Sequence, residues 1–294
     1  STSAKYSSLS APNSSDLTWE TSVHYNVGID MGMFKDRLQL TTELYIRDTK
    51  NMLTDGIALP AIYGADSPKQ NTADLRTKGY ELMLTYKDQF MLLGKPFAYN
   101  VTATFNDFVG HITRFHNPDK ELSTYYEGMK YGEIWGYTIE GLFQSEKEIA
   151  EHADQSYMKT SQSQKVWLPG DLKYKDMPTI DTNGDGIPDK GDGKINDGKK
   201  TIYDSGDMSI IGNTTPRWRY GINLSANWNG FFLTAMLQGV GKRDWYPSVE
   251  CNAFWGMYNR PYNMLPTHVY ENQWTEDNPD GYFPRLRGYL ATST

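Results

Sequence analysis

The chain has 294 residues, of which 38% are apolar when tyrosine is counted, and it carries a net charge of −7. A large dry core is not expected from so polar a chain, and the acidic surplus argues against nucleic acid or anionic headgroups as partners, because both reward basic patches. The single Cys251 rules out an internal disulfide framework, and the sequence has neither an apolar run near 18 residues nor a basic-then-apolar leader.

Long stretches alternate apolar and polar residues with period two, the signature of strands with two unlike faces. In "ETSVHYNVGIDMGMF", Val23, Tyr25, Val27, Ile29, Met31 and Met33 share one face, opposite His24, Asn26, Gly28, Asp30 and Gly32. After a short turn, "RLQLTTELYIR" sets Leu38, Leu40, Thr42, Leu44 and Ile46 against Arg37, Gln39, Thr41, Glu43 and Arg47. A third strand carries Tyr80, Leu82, Leu84 and Tyr86, and a fourth carries Phe97, Tyr99, Val101, Ala103 and Phe105 opposite Asn100, Thr102, Thr104 and Asn106.

A long irregular stretch follows, from about 111 to 215. His111 and His116 read as surface residues there, since no Glu-linked zinc pattern accompanies them. "EIWGYTIEGLF" reads as an excursion that does not span a membrane, and "SEKEIAEHA" as a short helix with Ser145 and Glu148 at capping-box spacing. "DTNGDGIPDKGD" is close to the calcium loop D-x-[DN]-x-[DN]-G: Asp181, Asn183 and Asp185 supply oxygens, Gly186 the bend and Ile187 a carbonyl. Asp189 and Asp192 occupy the ninth and twelfth positions, although the last ligand is usually a longer, bidentate Glu. The flanks lack helical periodicity, which argues against a helix-flanked EF-hand. Calcium is the expected ion, in a structural role, and a solvated acidic loop rich in turn residues is the competing reading.

The clearest pair is "PRWRYGINLSANWNGFFLTAMLQGVG", where Asn229-Gly230 is a favoured two-residue hairpin turn. One face runs Trp218, Tyr220, Ile222, Leu224, Ala226, Trp228 and returns as Phe231, Leu233, Ala235, Leu237. Ten residues at about 3.3 Å, tilted by roughly 40°, give a height of about 25 Å, the lipid-facing band of an outer-membrane barrel between two aromatic girdles. A soluble sandwich also alternates, but has no reason to put aromatics at both ends of one face. Connections alternate between short (near Lys35, near Gly94, at Asn229-Gly230) and long (Asn51 to Ala73, Gly110 to Thr215), as such barrels join strands. The fold class expected is all-β: a partial transmembrane antiparallel barrel of six spanning strands with long extracellular loops.

These residues resemble the SusC/RagA class of TonB-dependent outer-membrane transporters. "LTWETSVHYNVGIDMGMFKDRLQLTTELYIRDTKNML" is similar to its paired strands, "TKGYELML" to its "N-K-G-x-E" strand, and "IWGYTIEGLFQSEKEI" to its "G-Y-x-x-x-G-I-F-Q-S…E-E-I" loop. "GDLKYKD", the Asp181 loop, "IIGNTTPRWRYG", "WNGFFLTAMLQGVG" and "WTEDNPDGYFPRL" follow in the family's order, with "GKINDGKKTIYDSG" as an additional segment. The resemblance implies energised import of an oligosaccharide or peptide across the outer membrane of a Gram-negative bacterium. It also implies a SusD-like surface lipoprotein as partner, drive from TonB, and outer-membrane lipid around the wall. Such barrels need about 22 strands and carry a plug and a TonB-contacting segment, so residues 1–294 are expected to be a fragment of the barrel domain without them. No catalytic role is expected.

Tyr125, Tyr126, Trp135, Trp255 and Tyr258 fall in the expected outer loops, where they stack on cargo sugars, pack the loops themselves or meet the partner lipoprotein. No nucleophile elbow, H-E-x-x-H helix or P-loop is present. Two other functions fit the composition: a calcium-stabilised extracellular carbohydrate-binding β-protein, and a glycoside hydrolase, whose two carboxylates need only meet in the fold.

Overall fold

The computed structural model describes residues 12, 17–55, 62, 67–158, 166–248, 251, 254 and 265–286. The chain divides into two units, Ser1–Gly132 with Asn213–Asp244, and Glu133–Gly212 with Trp245–Thr294.

The first unit is an antiparallel sheet of six strands: β1 (Thr21–Met33), β2 (Leu38–Asp55), β3 (Lys69–Leu92), β4 (Lys95–Arg114), β9 (Arg217–Trp228) and β10 (Phe231–Lys242), adjacent in that order. The register turns the alternation of each strand into rows that cross the whole sheet. One row reads Met31, Leu40, Leu84, Ala103, Ile222, Leu237, and on the opposite face Asp30, Thr41, Met83, Thr104, Gly221, Gln238 stand side by side. The apolar face is not packed on a protein core, for Leu44 is 63% exposed and Leu237 59%. An aliphatic surface this broad is matched only by an apolar surrounding, since its transfer from water is worth about 25 cal/mol per Å².

Aromatic side chains bound this band at both ends. Toward the long connections, Tyr80 lies 6.0 Å from Phe105, a residue that pairs with Tyr220 across β4 and β9. Toward the tight turns, Phe90 and Phe97 are 5.1 Å apart, Phe97 and Tyr99 6.0 Å, and the Trp228 Nε1–H donates to the Leu92 carbonyl at 3.1 Å. Trp228 pairs with Phe231 around Asn229-Gly230, whose φ values of 46° and 84° form the turn that Asn and Gly favour. Among the described residues the outer edges of β1 and β10 are unpaired, so the sheet is open.

Beyond the Tyr80 row, β2, β3 and β4 continue with side chains that the alternation does not foretell. Arg76 grips both Asp48 oxygens at 2.7 and 2.8 Å, and Arg114 holds Asp74 at 2.9 and 2.8 Å. On β9, Trp218 has a left-handed backbone with φ 54°, and beside it Arg217 chelates the 5%-exposed Asp107, on the face of Phe105, at 2.6 and 2.5 Å. His111 and His116 are exposed, as expected.

The second unit has short elements: β5 (Glu133–Tyr137) with β8 (Met208–Asn213), β6 (Ile139–Leu142) with β7 (Leu172–Tyr174), and helices α1 (Glu146–Glu151) and α2 (Thr267–Asn272). Phe143, Ile195, Val269 and Trp274 are its buried apolar side chains. At α1 the Ser145 Oγ accepts the Glu148 N–H at 3.2 Å, and the Glu148 carboxylate returns to the Gln144 N–H at 2.7 Å. The capping box is therefore present, closed one residue earlier than the standard motif. Among the described residues no helix is long and apolar enough to cross a membrane.

Candidate functional site

Two features can carry function: the polar face of the sheet, and the loops of the second unit. Hydrogen bonds between neighbouring strands fix the polar face. The Asn26 amide donates to Glu43 at 2.5 Å, the Thr41 hydroxyl to Asp30 at 2.7 Å, and Thr85 and Thr102 lie 3.1 Å apart, while the Arg219 guanidinium sits 4.7 Å from the Phe108 ring centre. Such a surface offers many donors and acceptors, neutral and charged, with Glu43 and Glu81 side by side on β2 and β3.

In the second unit, the acidic stretch forms a loop closed where Ile180 pairs with Lys190. Asp181 accepts the N–H groups of Gly184 and Gly186, both at 2.7 Å. Asn183 accepts Asp185 N–H at 2.9 Å and Asp185 accepts Ile187 N–H at 2.8 Å, while the Asp189 carboxylate holds the Thr182 hydroxyl at 2.8 Å. The backbone donors of Gly186 and Gly184 hold the Asp181 carboxyl below its ordinary pKa. Asp192 lies beyond the closure and accepts the N–H of Lys194 at 2.8 Å, so it belongs to the next turn. The described residues hold no group of three or more His, Cys, Asp or Glu side chains arranged to bind a metal.

Two carboxylates that the sequence pattern does not single out fasten this region. Asp176 accepts the Gly193 N–H at 2.9 Å. Asp207, 1% exposed, accepts Met177 N–H at 2.7 Å and Asn196 N–H at 2.8 Å, and burial raises its pKa. Isolated aspartates in a turn-rich stretch give no periodic signal. The additional segment near Asp197 is thus tied down by its own flanks, and it leaves the closure at Ile180 and Lys190 intact.

Among the aromatic candidates, Tyr126 is 6% exposed, and Tyr125 packs edge-on against Phe115 at 5.7 Å. Both pack their own loop. Trp135 lies half-buried on β5, its Nε1–H without an acceptor. Trp255 and Tyr258 lie outside the described residues.

A strand face that is apolar between two aromatic rows, backed by a hydrogen-bonding face and joined alternately by tight turns and long excursions, is the wall of a transmembrane β-barrel. The family model of the TonB-dependent receptor-like β-barrel matches residues 2–290, and the chain belongs to that family. Two relatives from Formosa agariphila, TonB-dependent receptors P39 and P26, are each 24% identical over 74% and 97% of the chain, covering 22% and 26% of their own lengths. Among solved structures, the RagAB peptide transporter is similar with a TM-score of 0.59 at 22% identity, over 92% of this chain and 26% of that one. The RagAB peptide importer in its closed-closed state gives 0.60 at 21% over the same shares. The chain thus spans about a quarter of the length of the relatives it matches. Its fold is a partial antiparallel barrel.

Proposed function

We propose that the chain forms wall and outer loops of a SusC/RagA-type importer in the outer membrane of a Gram-negative bacterium. In this reading it works with a SusD-like surface lipoprotein, is driven by TonB, and takes up oligosaccharide or peptide. The observation that carries the reading is the apolar row crossing six strands between two aromatic boundaries, with every tight turn at one end of the sheet. The other face, with Asn26, Glu43, Thr102 and Asn223, lines the lumen, where hydrogen-bonding groups suit either cargo; the peptide-transporting RagAB neighbours support the peptide arm.

The loop at Asp181, Asn183, Asp185, Ile187 and Asp189 takes one calcium ion in this proposal. Its donors are hard oxygens on one closed turn, and each Asp181 oxygen keeps a lone pair beyond the N–H it accepts. The ion orders the loop and has no part in transport chemistry.

The test uses the full-length gene product with Cys251 replaced by serine. Single cysteines at Asp204 and at Lys35 are exposed to an impermeant thiol reagent on intact cells. Labelling at Asp204 alone is expected; labelling at Lys35 alone reverses the topology, and recovery of the protein in soluble culture medium removes the barrel reading altogether. Uptake of labelled oligopeptides and oligosaccharides, with and without the gene, then separates the two cargo classes.

A further inference from the structure

Three arginines near the long-connection end of the wall have one acid each: Arg76 has Asp48, Arg114 has Asp74 and Arg217 has Asp107. One row of the polar face departs from this matching. Across the register Glu43 pairs with Glu81, Glu81 with Asn106 and Asn106 with Arg219, so acid, acid, amide and guanidinium stand in line on β2, β3, β4 and β9. Among the described residues none of these three charged side chains enters an ion pair. Glu43 accepts the neutral Asn26 amide at 2.5 Å, which orients its carboxylate without discharging it.

Like charges directly opposite on a sheet repel, so Glu43 and Glu81 together select a cation. At the other end of the row the Arg219 guanidinium lies over the Phe108 ring at 4.7 Å, an arrangement that fixes its plane and leaves its N–H groups for a planar anion. Neighbouring strands are about 4.8 Å apart, which puts the acid pair and the guanidinium roughly 12 Å from each other. At about 3.4 Å per residue, an extended peptide of three or four residues spans that distance between its ammonium and its carboxylate. A neutral oligosaccharide matches neither end. Beside Arg219, where Gly221 carries no side chain, a hollow of about 600 Å³ bordered by Asn106 and Gln238 leaves room for the last side chain of such a peptide. We propose that this row is a cargo subsite that reads both ends of a tri- or tetrapeptide, the ammonium at Glu43 and Glu81, a peptide group at Asn106 and the carboxylate at Arg219. The inference rests on the lumenal placement of this face argued above, and it narrows the cargo to peptides with free termini.

The full-length gene product in detergent would be titrated calorimetrically with tetraalanine, its N-acetylated form, its C-terminal amide, and maltotetraose. Tetraalanine should bind, each capped form about tenfold more weakly, and maltotetraose not at all. Glu43→Gln with Glu81→Gln should erase the difference between free and acetylated peptide alone, and Arg219→Gln the difference between acid and amide alone. Arg47→Gln, on the same face two rows toward the long connections, should erase neither. Each readout is a ratio within one variant, so a loss of folded protein does not imitate it. Equal binding of the three peptides overturns the subsite. Ratios unchanged in the row variants, with a lower yield of heat-modifiable barrel, overturn it too and give the row to another part of the transporter. Uptake by intact cells tells this failure from that of the import reading: gene-dependent entry of free and capped peptides alike removes the subsite only, whereas no gene-dependent entry of peptide removes the reading beneath it.

Discussion

In the first unit, strands of 12 to 24 residues repeat one instruction many times; in the second, strands of 3 to 6 residues hold their places through single side chains. Trp274 shows the second style. Its indole N–H donates to Gln144 at 3.0 Å, its backbone N–H to the Phe283 carbonyl at 2.7 Å, and Arg285, 5.8 Å from its ring centre, donates to the Pro169 carbonyl at 2.8 Å. Gly170, at φ 86°, lies against the ring where a Cβ would overlap it. A sheet built by repetition absorbs one wrong side chain according to the face it lands on, whereas a loop unit built on single contacts is undone by loss of a particular one.

The sharpest way to break this comparison is to put the same substitution on neighbouring residues of β9. Leu224→Arg, on the apolar face between Trp218 and Trp228, should cost roughly 2 to 4 kcal/mol of assembly free energy, and Asn223→Arg on the polar face far less. Yields of heat-modifiable barrel from the full-length gene product measure both; equal yields would reverse the faces. In the second unit, Gly170→Val should cost about 1 to 3 kcal/mol through overpacking and a strained left-handed backbone. Faster protease cleavage within 265–286 would report it, and unchanged cleavage would deny Trp274 its role.

Acidification should act on the second unit in two opposite ways. The pKa of Asp181 is lowered by the N–H groups of Gly186 and Gly184, so its contribution is full above the ordinary aspartate value of about 3.9 and fades as pH falls through the depressed one. The pKa of Asp207 is raised, chiefly by burial, so its contribution is full below the ordinary value and is lost as pH rises through the elevated one. Hydrogen exchange, corrected for its intrinsic pH dependence, should show the amides of Gly184 and Gly186 loosening in acid while that of Asp207, which donates to the Asn196 carbonyl, tightens. Asp207→Asn should abolish the second trend only. The smallest effect concerns the proposed ion: calcium should slow cleavage between Pro169 and Gly212 severalfold relative to chelator, and Asp185→Ala should cancel the difference.

Much of the sheet was legible because alternation is redundant. The faces of β1, β2 and β9 and the pairing of Trp228 with Phe231 follow from sequence as the structure has them. The reach of β3 to Lys69 and of β4 to Arg114 did not, because beyond Tyr80 the strands are held by charged pairs between residues far apart in sequence, such as Asp107 and Arg217. In the second unit Ser145 and Glu148 announced α1 by local spacing. Asp176, Asp207 and Trp274 gave no warning, since their partners are chosen by tertiary contact alone. The hydrogen-bonded loop from Asp181 to Asp189 is legible because its turn residues lie close together in sequence, whereas the closure at Ile180 and Lys190, with Asp192 beyond it, gives no local signal.

The arginine pairs at the long-connection end have a consequence for how the wall finds its alignment. Alternation detects a slip of one residue between strands, which would turn every side chain to the wrong face. To a slip of two residues it is blind: leucine still meets leucine and threonine still meets threonine. Asp48 with Arg76, Asp74 with Arg114 and Asp107 with Arg217 occur once each and are held two-pronged, so a two-residue slip would strand three carboxylates away from their guanidinium partners. They act as a vernier on a scale whose main divisions all look alike.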